Sequence, residues 1–324
     1  PYLAAAYDAL KAVDPEITVV GVGLSPRGND RPDAKSNIST SPIRFLRALG
    51  AWYRSSGRTR PLMDGFSFHP YPNKATDPLD RGYGWPNAGF VNVDRIKQAL
   101  WDAFHGTAQP TTADGLRLYL DEVGWQVRTD GMPGYSGLEN VVVTDELTQA
   151  AVYAELVRRA SCDPDIAEVS FFGFRDDGAR TGFQAALQRL DGTARPAAEA
   201  VRQAISDAAA GCGQPLAPWR SADEVLDASI VVRATASAAA VRVRAGEDAR
   251  AHVCVTTKQA EAGLVRGSPG ASKTRCREST LVGNRSVDVE LAVPGSARTG
   301  YDVAVELAAE ANPARRTVLV RSSG

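Results

Sequence analysis

The chain of 324 residues predicts a two-part fold, an α/β region followed by an all-β sandwich. Three observations carry that expectation. From residue 1 to about 210, short apolar runs alternate with segments of helical period. The loops after those runs (25–41, 72–92 and 123–143) are long and rich in Gly, Pro, Asn and Asp. After CGQPLAPW (212–219) the texture changes to short segments of period two. Alternating strands and helices imply a parallel sheet with crossover helices, and closely spaced alternating strands imply antiparallel sheets packed face to face.

The first helix is expected over residues 2–13, with Leu3, Ala6, Tyr7, Leu10 and Val13 inward, ended by Asp14-Pro15. ITVVGVGL (17–24) is a near-continuous apolar run, the pattern of a parallel strand buried on both faces. Ser41 and Pro42 open a second helix with Ile43, Leu46, Leu49 and Trp52 or Tyr53 inward, and Gly57 ends it. DGFSFHPY (64–71) is a strand running into a turn. Asn92 caps a third helix with Ile96, Leu100 and Phe104 inward, and LRLYLDE (116–122) is the next strand. Thr144 opens a fourth helix to about Ser161, its acids suiting the dipole. EVSFFGF (168–174) is a fourth strand, and Pro196 starts a last helix with Val201 and Ile205 inward. Beyond it, SIVVRA, AVRVRA, AHVCVTT, SVDVELAV, YDVAVEL and TVLVRS read as strands. The expected division is 1–212, a Pro-rich linker at 213–222, and 223–324.

With 44% hydrophobic and 23% charged residues the composition is that of an ordinary globular protein. A net charge of −1 gives no electrostatic case for nucleic acid or an anionic membrane, and no apolar run is long enough for a membrane helix. Four cysteines allow three connectivities; Cys162–Cys212 and Cys254–Cys276 each fall within one expected domain. No zinc spacing is present, so disulfides and an extracellular, secreted protein are expected, against the alternative of four buried thiols. No signal peptide is visible, and the chain opens inside a helix. The loop GVGLSPRGN is only a loose match to a dinucleotide turn, and GxSxG is lacking.

The octapeptide LYLDEVGW (118–125) carries the most chemical information. It is a strand ending on Glu122, followed by Gly124 and Trp125, and α/β barrels place their chemistry at the C-terminal ends of parallel strands. The series HPY at 69–71, DEVGW at 121–125 and FFGF at 171–174 resembles the last four strands of the retaining glycoside hydrolases built on (β/α)8 barrels, of cellulase and β-xylosidase type. Four strand–helix units do not close such a barrel. The resemblance therefore implies the C-terminal half of a TIM barrel, strands 5–8, followed by a β-sandwich accessory domain. It implies Glu122 as nucleophile, with His69 and Tyr71 beside it. The acid/base Glu of an Asn-Glu pair, ending the family's fourth strand, would then lie upstream of Pro1, because neither Asn29-Asp30 nor Glu139-Asn140 matches it.

Retaining hydrolysis uses two carboxyl groups about 5 Å apart across the scissile bond and needs neither metal nor cofactor. Tyr71 is expected to donate to Glu122, and His69 to orient it or hold a sugar hydroxyl. Asp121 is expected on the opposite face from Glu122. Trp125, Trp85 and Tyr83 are candidates to stack on sugar rings, with Asn37 and Arg27 as further contacts. Arg175, Asp176 and Asp177 read as surface charge. The expected partner is a carbohydrate substrate, with no nucleic acid and no membrane insertion; sugar, linkage and oligomeric state stay open. The reading is an O-glycosyl hydrolase whose present chain alone lacks activity; the alternative is a non-catalytic carbohydrate-binding or cell-surface protein on a degenerate barrel. The sandwich carries almost no exposed aromatic besides Tyr301, which suggests a structural role for it.

Overall fold

The computed structural model describes residues 1–212, 215–216, 219–221, 226–235, 237–257, 273–294, 300–311 and 315–323. It divides into two compact units, Pro1–Ser221 and Ala222–Gly324. Part of the Pro-rich stretch 213–222 lies outside the described residues.

In the first unit, α1 (Tyr2–Val13), β1 (Val20–Leu24), α2 (Pro42–Ser55), β2 (Gly65–Phe68), α3 (Val93–Phe104), β3 (Arg117–Val123), α4 (Glu146–Ser161), β4 (Ile166–Phe171) and α5 (Pro196–Ala209) follow one another. The strands form one parallel sheet in the order β1-β2-β3-β4. Strand alternation sends Phe66, Phe68, Leu118 and Leu120 to the helix side, where they are fully buried with Leu46, Ile96, Leu100 and Phe104. The other side is polar. Gly65, Ser67, Tyr119, Asp121 and Glu168 lie on it, Asp121 and Glu168 exposed. A Cβ on Gly65 would stand 2.3 Å from the Tyr119 ring, so only glycine lets that ring lie across the sheet.

Several elements depart from expectation. β1 is not buried on both faces: Ile17 and Val20 are exposed, because β1 is an edge strand among the described residues. On α1 the buried residues are Ala4 and Tyr7, while Leu10 and Val13 face water. On α5, which packs on α4, the small residues Ala197 and Ala204 are buried with Val201, and Ile205 is exposed. The cap of α4 is Asp145, whose carboxylate accepts from the Leu147 and Thr148 amides; Thr144 instead bridges to Val127. Asn92 precedes α3 without capping it, and its Oδ1 accepts from the amides of Tyr83 and Gly89. Asp176 is no surface charge: it is buried, paired with Arg195 and receiving the Tyr135 hydroxyl. At the lower end of the sheet, buried Lys97 is held by Asp163 (2.8 Å) and Asp165 (2.7 Å). Among the described residues no helix is long and apolar enough to cross a membrane.

The second unit contains β5 (Ala228–Ala234), β6 (Ala238–Ala245), β7 (Ala249–Thr257), β8 (Thr274–Leu281), β9 (Ser286–Ala292), β10 (Tyr301–Ala309) and β11 (Arg316–Ser323). They form two antiparallel sheets, β5-β6-β9 and β11-β10-β7-β8, whose inward valines and leucines make one core. Tyr301 is not exposed. It belongs to that core, with its hydroxyl donating to the carbonyls of Thr235 and Ala238. Disulfides join Cys162 to Cys212 and, across β7 and β8, Cys254 to Cys276.

Candidate active site

The site forms where the C-terminal ends of β1, β2 and β3 meet. β2 runs into His69-Pro70-Tyr71. The His69 amide donates to the Leu24 carbonyl (2.9 Å), tying this turn to the end of β1. The Tyr71 amide donates back to the His69 carbonyl (2.9 Å), a three-residue turn about Pro70, whose ring fixes the φ it needs. That turn aims the Tyr71 ring at the neighbouring strand. Its hydroxyl donates to Glu122 Oε1 at 2.9 Å. Burial pushes the Tyr71 phenol well above its ordinary value, and the bond to Glu122 and its charge add to the shift. Tyr71 therefore keeps its proton and acts as a fixed donor to the carboxylate.

Gly124 makes room for this arrangement: a Cβ there would stand 3.3 Å from the Tyr71 ring and 3.0 Å from Ala185 Cβ. Tyr83 lies behind, its hydroxyl donating to the Tyr71 carbonyl (3.0 Å). His69 stands between two carboxylates, Nε2 3.3 Å from Asp121 and Nδ1 3.6 Å from Glu122. The second contact is too long for a hydrogen bond. Ser67 Oγ lies 2.6 and 2.7 Å from the two Asp121 oxygens.

Asp121 thus departs from expectation. It follows the alternation of Tyr119 onto the polar face and shares one imidazole with Glu122, because the slip in the pairing of β3 with β4 between Leu120 and Val123 takes Glu122, and not Asp121, out of alternation. A second slip, between Val22 and Leu24, leaves Gly23 at φ 74° beneath His69 and Ser67. Only glycine takes that conformation cheaply.

The expected aromatic platforms are placed differently. Trp125 is 2% exposed; its indole donates to the Asp77 carbonyl and its amide to the Tyr153 hydroxyl, so it offers no face to a ligand. Trp85 is half-buried under the Arg44 guanidinium, 5.3 Å from the ring centre. Tyr83 reaches the site as a support for Tyr71. Asn37 is exposed at φ 53° in the first long loop, where its carbonyl accepts from Asn29 and Ser39. The structure brings Tyr71 and His69 to Glu122, places Tyr83 behind them, and records no contact of Trp125, Trp85 or Asn37 with Glu122.

Two rings that sequence reasoning did not single out as platforms stand open beside Tyr71. Phe183 packs edge-on against Tyr71 (5.8 Å) and Phe172 (4.7 Å), and both phenylalanines are more than a third exposed. Phe183 lies in a loop with no periodic signal, and only the fold brings it here. Ser67 was legible in principle, since the alternation of GFSFH puts it on the face of His69. The described residues contain one group of metal-ligand type, His252, Cys254 and Cys276, whose sulfurs are spent on the disulfide.

No family model and no curated protein matches the sequence. Among solved structures the chain is similar to xylanase 10B from Thermotoga maritima, with 18% identity and a TM-score of 0.39 over 64% of this chain and 52% of that one. It is also similar to an α-L-arabinofuranosidase from Thermotoga maritima (12%, TM-score 0.35, 90% and 61%). A third similarity is to GH5_18 from Streptomyces cattleya, solved with GlcNAc (17%, TM-score 0.34, 69% and 55%). The chain spans about half the length of the xylanases it matches.

Proposed function

We propose that this chain carries the nucleophile side of a retaining O-glycosyl hydrolase, with Glu122 attacking the anomeric carbon. The observation that carries the reading is the charge-assisted hydrogen bond from Tyr71 to Glu122 at the ends of parallel strands. A nucleophilic carboxylate must stay ionised, and a buried phenol that holds its proton favours that form. Donation from Tyr71 occupies Oε1 and leaves Oε2 for attack. On the other side the His69 ring stands 3.6 Å from Oε2, with Asp121 3.3 Å from its second nitrogen.

In this reading Asp121 is not the second carboxyl. Retaining chemistry sets acid and nucleophile on opposite sides of the scissile bond, and Asp121 shares His69 with Glu122 and is bound by Ser67. The acid/base is supplied by a residue outside these 324, on a strand that would continue the sheet past the free edge of β1. The exposure of Asp121 and Glu168 on the polar face of the sheet supports this, since both faces of an all-parallel sheet are normally covered. The second unit serves as a structural module: its single aromatic residue, Tyr301, is buried.

The test is covalent trapping on the intact protein that contains this chain. A 2-fluoro-glycoside with a good leaving group should add one glycosyl mass to the peptide bearing Glu122, and Glu122→Gln should remove it. Turnover that survives Glu122→Gln would sink the nucleophile assignment. The 324-residue chain by itself should bind oligosaccharide without hydrolysing it; robust Glu122-dependent turnover by it would sink the half-barrel reading.

A further inference from the structure

Past Tyr71 and Gly124, at the same end of the sheet, the surface opens into a cleft of ≈ 300 Å³. That volume is at the lower end of the range for small-ligand sites and suits about one sugar unit. Tyr71, whose hydroxyl holds Glu122, forms part of its wall, and the half-exposed Phe183 ring forms another part.

The charge of this cleft is one-sided. Arg27 and Lys74 line it, and no Asp or Glu does. The chain as a whole is balanced, with 37 basic and 38 acidic residues. Some arginines of the unit are matched to carboxylates, Arg58 to Asp8, Arg189 to Glu146 and Arg180 to Asp130, and others, such as Arg54 and Arg117, are held by backbone carbonyls away from this cleft. Arg27 is held by neutral groups, donating to Asn73 Oδ1 at 2.8 Å and to the Asn73 carbonyl at 3.3 Å. It also bears on the Tyr83 phenol, opposing the upward push that burial gives it. Among the described residues the structure records no carboxylate partner for the guanidinium of Arg27 or the ammonium of Lys74, although the Lys74 backbone amide donates to Asp77 Oδ2 at 3.1 Å. A guanidinium positioned by a neutral amide, beside an ammonium, is an acceptor site for oxyanions, which the planar fork of arginine binds in pairs.

We propose that this cleft is a subsite for a sugar unit bearing an anionic substituent, a carboxylate or a sulfate, held by Arg27 and Lys74 with the sugar ring against Phe183. The proposal rests on the reading of Glu122 as a glycosidase nucleophile and adds the class of glycan that reaches it. A uronic-acid oligosaccharide supplies a carboxylate, and a sulfated one supplies the same charge in tetrahedral form.

The experiment is titration calorimetry of the 324-residue protein with a panel of glucuronate-, galacturonate- and mannuronate-containing oligosaccharides. Each is paired with its carboxyl-reduced counterpart, and a sulfated oligosaccharide is paired with its desulfated form. At least one acidic ligand should bind tenfold or more tightly than its neutral pair, with the difference shrinking as salt rises. Arg27→Ala and Lys74→Ala, both exposed and remote from the core, should each erase about tenfold of that preference and leave neutral ligands unaffected. A larger preference in the sulfated pair than in the uronate pairs assigns the anion to sulfate. Equal binding within every pair, a preference that survives both substitutions, or no binding to any ligand overturns the proposal. Trapping at Glu122 in the intact protein separates the two readings. Acid preference without trapping removes the glycosidase reading alone, and trapping without acid preference removes this inference alone.

Discussion

The bond from Tyr71 to Glu122 holds the proposed nucleophile through one hydroxyl. Removing it in Tyr71→Phe takes away the donor that holds Oε1 in place. The plateau of the kcat/KM profile of the intact protein reads the loss. The rate on the plateau should fall by roughly 10- to 100-fold, the worth of a hydrogen bond to a charged group. Glu122→Gln keeps the shape and the Tyr71 contact but loses the nucleophile, and kcat should drop by about 10³-fold or more. A Tyr71→Phe plateau within twofold of the original would mean that the phenol only packs and does not hold the carboxylate. At this scale the sequence was informative for the residues that sit on strands or one turn beyond them. Glu122, His69 and Tyr71 were legible because strand ends are. Asp121 was misplaced because a slip of register leaves no mark in composition. Trp125 was misplaced because an indole beside a glycine reads the same whether its face meets a ligand or the Asp77 carbonyl.

Helices and strands were found where apolar periodicity is strong, and missed where tertiary exposure departs from it. β8 (TRCRESTL) went unseen because it is an edge strand, exposed at nearly every described position, and so carries no alternation. Ile205 looked inward on α5, yet the helix turns its alanines to α4, where small side chains allow close approach. Lys97 on α3 was not singled out beside the inward Ile96 and Leu100, although it is 2% exposed and closes the lower end of the sheet through Asp163 and Asp165. Burial pulls its ammonium down, but the bonds and charges of the two aspartates outweigh this and hold it above its ordinary 10.5. The stabilisation it gives is complete below that ordinary value and is lost as pH rises through the higher folded value. Lys97→Met leaves the buried Asp163 and the half-buried Asp165 without their cation and should cost about 3–5 kcal/mol in urea unfolding at neutral pH. A loss under 1 kcal/mol would show that water reaches the aspartates.

Each disulfide staples one unit. Cys162–Cys212 closes a loop of sequence separation 50, worth about 4 kcal/mol by the chain-entropy relation. Its double replacement by serine should lower the protection of amides in α4 and α5 against hydrogen exchange while leaving β5–β11 unchanged. Loss of protection in β7 and β10 would contradict the assignment of that bridge to the first unit alone. The division into two units was legible from the change of period, whereas the polar inner face of the parallel sheet was not, because a run such as ITVVGVGL looks symmetrically apolar. That sheet also ends, among the described residues, on two unpaired edges, β1 and β4. All four strands run in one direction, so the β4 edge of one copy matches the β1 edge of the next. Such contacts repeat head to tail and need not stop at two. A strand edge left without pairing is a template for another chain, and Val20, exposed at that edge, gives it no charged guard. Sedimentation velocity of the chain should therefore show association that grows with concentration, and Val20→Lys should suppress it. The open edge of β1 is, for the chain alone, the place where association is decided.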